Sequence, residues 1–137
     1  MKTGNDHRHP ILVVEDDEDM RENLRRLLSG AGYDVQLASN GVEALTALSA
    51  QPCHLVLTDL IMPDMGGLEL LKEIRQHHRH LPVVFLTALG DRATYDRITQ
   101  MGAADFVPKP FRGYVLLALV HRILVERTHD AEGRPGT

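Results

Sequence analysis

From Pro10 onward the chain alternates short apolar runs with longer segments whose apolar residues recur at helical spacing. The first run, ILVV (11–14), reads as a buried strand. A helix is expected to open near Asp19, with Glu22 completing a capping-box pattern. Met20, Leu24, Leu27 and Leu28 form its inner stripe, and Gly30 and Gly32 mark its end. Tyr33 to Leu37 alternates in polarity, as a second strand would. Asn40 and Glu43 cap a helix that runs through Val42, Leu45 and Leu48 and stops before Pro52. A third strand (54–58) leads to Asp59, a turn-rich segment and a helix from about Leu68 to His77. Pro82 opens a fourth strand, and Asp91 caps a short, weakly apolar helix to Met101. The fifth strand covers about 104–107, and a last helix spans about Gly113 to Arg127.

Strict alternation of five strands and five helices implies parallel units joined by right-handed crossovers. Strands one, three and four are almost wholly apolar, which suits interior strands covered on both faces. The alternating second strand suits an edge. The expected fold is therefore α/β: a flavodoxin-like, doubly wound three-layer sandwich with strand order 2-1-3-4-5. Residues 1–9 read as a disordered leader, 10–127 as the domain, and 128–137 as a polar tail.

Composition narrows the function. The 137 residues carry a formal net charge of −4, so no global basic field favours direct nucleic acid binding. No apolar run is long enough to cross a bilayer, and the polar N-terminus lacks the core of a secretion signal. The single cysteine, Cys53, suits a cytoplasmic protein without disulfides and reads as a packing residue.

The chemistry lies at the strand ends. ILVV ends in Glu15, Asp16 and Asp17, the third strand in Asp59, the fourth in Thr87, and the fifth in Lys109 and Pro110. In an open parallel sheet these ends share one edge. Crowded carboxylates there call for a divalent cation, and Mg²⁺ (or Mn²⁺) takes oxygen ligands while keeping several waters. Asp16 and Asp59 are the expected direct ligands, with Glu15 acting through water. Asp59, ionised near neutrality, is the expected nucleophile toward a phosphoryl donor. The Lys109 ammonium and the Thr87 hydroxyl would stabilise the charge on the transferred group. His77, His78, Arg79 and His80 read as a solvated helix end, where cationic residues are favoured.

The stretches ILVVEDDEDMR, LVLTDLIMPDMGGLELL, VVFLTA and GAADFVPKPF resemble the receiver domain of two-component response regulators over about residues 10–127. The resemblance implies that Asp59 accepts a phosphoryl group from a sensor histidine kinase or a histidine phosphotransfer protein. It implies a metal held by Glu15, Asp16, Asp59 and the backbone carbonyl of Ile61. Thr87 becomes the switch hydroxyl, Phe106 the aromatic that turns inward with it, and Lys109 the phosphoryl contact, with a cis Lys109–Pro110 bond. Phenylalanine has no hydroxyl to satisfy, so Phe106 is expected to favour the inward state even without phosphate. Apolar Ile61 and Leu89 flank the path of the hydrolytic water in this family, which implies slow dephosphorylation. The family's charged dimer contacts are replaced here by Val115 and Leu119, so any homodimer through the fourth helix, fifth strand and fifth helix should be more apolar. Such a domain is a switch, catalysing only its own phosphorylation and dephosphorylation. A phosphatase of the haloacid dehalogenase type would need a second acid where Ile61 stands. A pseudo-receiver without phosphorylation would not need the Asp59, Thr87 and Lys109 set.

Overall fold

The computed structural model describes residues 8–88 and 90–133, with side chains as far as Glu126. Leu89 and residues 1–7, most of the expected leader, lie outside the described residues. The elements alternate as anticipated: β1 (Pro10–Val14), α1 (Glu18–Gly30), β2 (Asp34–Ala38), α2 (Gly41–Ala50), β3 (Leu55–Asp59), α3 (Gly67–His77), β4 (Val83–Thr87), α4 (Arg92–Gln100), β5 (Asp105–Pro108) and α5 (Gly113–Gly133). All four strand pairings are parallel, in the order β2-β1-β3-β4-β5.

Successive residues of a strand face opposite sides of the sheet, so β1, β3 and β4 supply two cores. Leu12, Val14, Val56, Val83 and Phe85 pack under α2, α3 and α4. Ile11, Val13, Leu55, Leu57, Val84 and Leu86 pack under α1 and α5. Leu116, Val120, Ile123 and Leu124 form the sheet-facing stripe of α5, at the spacing read from the sequence. Burying a side chain of this size contributes about 1.5–3 kcal/mol.

Three local expectations are corrected. Asp17, not Asp19, caps α1, accepting from Met20 N at 3.0 Å. Both aspartates can cap; the sheet decides between them, because Glu15 N still bonds Ala38 O at 3.0 Å and the chain turns directly into the helix. Glu22 instead pairs with Arg25 at 2.5 Å and Arg26 at 3.3 Å. On α2 the capping pattern holds, with Asn40 Oδ1 accepting from Glu43 N at 2.8 Å. The buried stripe there is Gly41, Ala44 and Leu48, and Val42 is exposed. Gly41 sets that phase: a Cβ on it would lie 2.8 Å from Met65 atoms, so only glycine admits this contact. Finally, α5 continues to Gly133, past the end expected near Arg127.

Candidate phosphoacceptor site

β1 and β3 are adjacent in the sheet, yet the chain leaves them for opposite faces, through α1 and α3. Their C-terminal ends therefore splay into a crevice, the position where open α/β sheets carry their sites. Glu15 and Asp16 follow β1 directly, and Asp59 is the last residue of β3. Among the described residues, Glu15, Asp16 and Asp59 are the group whose ligand oxygens converge within 4.8 Å of one another.

Lys109 reaches in from the end of β5. Its ammonium donates to Glu15 Oε1 at 3.0 Å and to Asp59 Oδ2 at 3.1 Å, with only 18% of its side chain exposed. Lys109 N donates to Thr87 O at 2.7 Å, and the Lys109–Pro110 peptide is cis as expected. The Thr87 hydroxyl-bearing side chain is buried at the end of β4. Asp59 Oδ1 accepts from Leu60 N at 2.7 Å, which fixes the carboxylate's orientation. The expected residues Glu15, Asp16, Asp59, Thr87 and Lys109 thus share one edge of the sheet.

Electrostatics follow from this packing. Burial pushes the Glu15 carboxyl above its usual range, against opposing hydrogen bonds from Asp17 N and Lys109. For Lys109, burial disfavours the charge, but its hydrogen bonds to Glu15 and Asp59 outweigh that and raise its pKa. The ammonium thereby offsets repulsion among the carboxylates. The acid cluster offers only hard oxygen donors, which fits Mg²⁺ or Mn²⁺ rather than a thiophilic metal.

Two supporting residues escaped sequence reasoning. Arg21 donates to the Glu15 carbonyl at 2.8 Å and so pins the loop that carries the acid pair. Nothing in its surroundings in sequence distinguishes it from Arg25 or Arg26. Gly67 is the second: a Cβ there would lie 2.6 Å from Asp59 O and 2.8 Å from Leu60 Cα. These are backbone atoms that cannot swing aside. Gly67→Ala is expected to destabilise the protein by about 1–3 kcal/mol and to slow phosphoryl uptake, as urea titration and labelling would show.

Other expected residues lie further out. Ile61 is 62% exposed on the β3–α3 loop. Phe106 is half-buried, packed on the first core layer, with its ring 5.7 Å from that of Tyr95 on α4. Val115 is exposed and Leu119 half-buried on α5, where Arg122 pairs with Asp105 of β5 at 3.2 Å.

A five-stranded doubly wound sheet with this acid–lysine edge defines a phosphoryl-accepting switch domain. Residues 11–121 match the family model described as "Response regulator receiver domain", and the chain belongs to that family. It is 43% identical over 124 residues to response regulator RR06 of Streptococcus pneumoniae, covering 89% of this chain and 55% of RR06. It is 42% identical over 114 residues to the DNA-binding transcriptional regulator NtrC of Escherichia coli, covering 83% of this chain and 24% of NtrC. The chain therefore spans about half of one relative and a quarter of the other. Among solved structures, the non-phosphorylated HemR receiver domain from Leptospira biflexa superposes with a TM-score of 0.80 at 35% identity, covering 85% of this chain and 94% of that one.

Proposed function

We propose that Asp59 accepts a phosphoryl group from a phosphohistidine of a sensor histidine kinase or a histidine phosphotransfer protein. The observation that carries this reading is the grip of Lys109 on Asp59 and Glu15 within a convergent acid cluster. An Asp59 carboxylate oxygen attacks phosphorus, an O–P bond forms, and the N–P bond breaks with its electron pair leaving on the donor imidazole. The Leu60 N–H holds Asp59 in orientation. The Lys109 ammonium and the Thr87 hydroxyl then bind the transferred oxygens. Glu15, Asp16, Asp59 and the Ile61 carbonyl would hold Mg²⁺ or Mn²⁺, which when bound supplies positive charge against the phosphoryl oxygens. Movement of Thr87 toward the acyl phosphate would carry Phe106 with it and alter the face made by α4, β5 and α5. Half-exposed Val115 and Tyr95 make an apolar homodimer contact there the favoured output. Beyond its own phosphorylation and dephosphorylation the domain catalyses nothing.

The absence of direct nucleic acid binding is proposed for these residues alone, from their acidic balance. NtrC is named a DNA-binding regulator, and this chain matches only 24% of it. Among the described residues no helix is long and apolar enough to cross a membrane, and a cytoplasmic location fits.

The direct test is intact-mass analysis after incubation with acetyl phosphate. One phosphoryl group should be added with Mg²⁺, none with EDTA, and hydroxylamine should remove it as it does acyl phosphates. A well-folded protein that gains no mass from acetyl phosphate or from a phosphorylated kinase domain would overturn the reading.

Hydrolysis should be slow, because exposed apolar Ile61 cannot orient water. The double variant Ile61→Asn, Leu89→Glu is expected to lose its phosphoryl group about a hundredfold faster, at the low end of what a positioned polar group contributes. Equal decay of parent and variant would remove these two positions from any role in hydrolysis.

A further inference from the structure

Among the described residues the buried polar or charged side chains are Glu15, Thr58 and Thr87. Glu15 and Thr87 belong to the acid–lysine edge, whereas Thr58 lies within the core. Its neighbours in register are Val14 of β1 and Phe85 of β4, both members of the apolar layer under α2, α3 and α4. Valine would fill that place with nothing left to satisfy, so a fully buried hydroxyl there needs a partner of its own. It donates to the Asp59 carbonyl at 2.9 Å, and the Met62 thioether lies over it at 3.9 Å. A thioether is only a weak acceptor, so the carbonyl takes the proton. That carbonyl sits under the start of α3, where a Cβ on Gly67 would meet it at 2.6 Å.

Asp59 O and Leu60 N belong to one peptide unit, which is planar and rigid. At one end Thr58 holds the carbonyl; at the other the N–H donates to Asp59 Oδ1 at 2.7 Å. The soft motion of such a unit is a rock about the line joining its two Cα atoms. Fixing the carbonyl stops that rock, and so fixes the direction of the N–H that aims the carboxylate. The next carbonyl is held as well, Leu60 O accepting from Gly67 N at 2.8 Å. We propose that Thr58 is a positioning residue for phosphoryl acceptance, its hydroxyl holding the Asp59–Leu60 peptide so that the Asp59 carboxylate stays aimed into the crevice. The inference rests on the phosphoacceptor reading of Asp59. Thr58 acts through the backbone alone. Without its hydroxyl the peptide rocks, and the carboxylate spends time in orientations that do not react.

The test measures acetyl phosphate uptake by the full chain at saturating Mg²⁺ for the parent, Thr58→Val and Thr58→Ser, each checked for folding by urea titration. Thr58→Val keeps the branched shape and loses only the hydroxyl. Its maximal rate should fall by about tenfold, one ordinary hydrogen bond expressed as rate. The acetyl phosphate concentration giving half that rate should not move, because Thr58 contacts no part of the donor. Thr58→Ser keeps the hydroxyl and should stay within about twofold of the parent. Amide hydrogen exchange without any donor gives a second readout: the Leu60 N–H should exchange faster in Thr58→Val and at the parental rate in Thr58→Ser. A folded Thr58→Val that labels at the parental rate would overturn the proposal. So would a Thr58→Ser slowed by about tenfold, which would assign the effect to bulk rather than to the hydroxyl. A parent that takes up no phosphoryl group sinks the phosphoacceptor reading instead. Equal Leu60 exchange in the parent and Thr58→Val sinks this one, whether or not the protein labels.

Discussion

Asp59→Asn is expected to bring phosphoryl incorporation below detection, from acetyl phosphate and from a kinase alike. The amide oxygen can still accept from Leu60 N, as Asp59 Oδ1 does at 2.7 Å, so the loop keeps its shape. What disappears is the anionic nucleophile: a neutral carboxamide oxygen does not form a mixed anhydride under these conditions. Stability should change little. The Lys109–Asp59 ion pair at 3.1 Å is lost, but so is the repulsion of Asp59 toward Glu15, and Lys109 keeps its 3.0 Å contact with Glu15. The check is intact mass beside circular dichroism on the same sample. If the variant labels to the parental extent, another acid accepts the group, with neighbouring Asp16 the first to replace.

Phe85→Ala is expected to carry the largest stability loss of any single substitution considered, about 3–5 kcal/mol. Folded domains of this size are stable by only about 5–15 kcal/mol in total. Phe85 is fully buried in the middle of β4, paired in register with Thr58 of β3 and Phe106 of β5. A Cβ on Gly67 would lie 2.8 Å from its ring, so the same side chain packs against the start of α3. Removing the ring opens a cavity that the sheet, tied on both sides, cannot collapse to fill. Because α3 begins beside the Asp59–Leu60 backbone, phosphoryl uptake should also slow in the molecules that remain folded. Urea titration gives the loss directly. A value under about 1.5 kcal/mol, the range of volume-conserving swaps, would mean that this layer repacks freely.

The order of elements and the placement of the site were legible because both rest on local pattern. Runs such as ILVV and VVFL, short and rich in β-branched residues, suit strands buried on both faces, and their alternation with helices implies parallel pairing. Parallel strands put all their C-terminal ends on one edge, so Glu15, Asp16, Asp59, Thr87 and Lys109 had to meet there. Asn40 and Asp91 were readable as caps because capping is decided within four residues.

What the sequence could not settle depends on contacts between distant segments. Whether Asp17 or Asp19 opens α1 turned on where β1 leaves the sheet, and the phase of α2 turned on Met65 packing over Gly41. Arg21 is one arginine among several until the fold sets it against the Glu15 carbonyl. His9 looked like part of a loose leader until β2 and His54 anchored it. Periodicity and capping are short-range preferences, and they specify which elements form and in what order. The choice among chemically equal candidates belongs to packing and hydrogen bonding across the sheet, which exist only once the strands are paired.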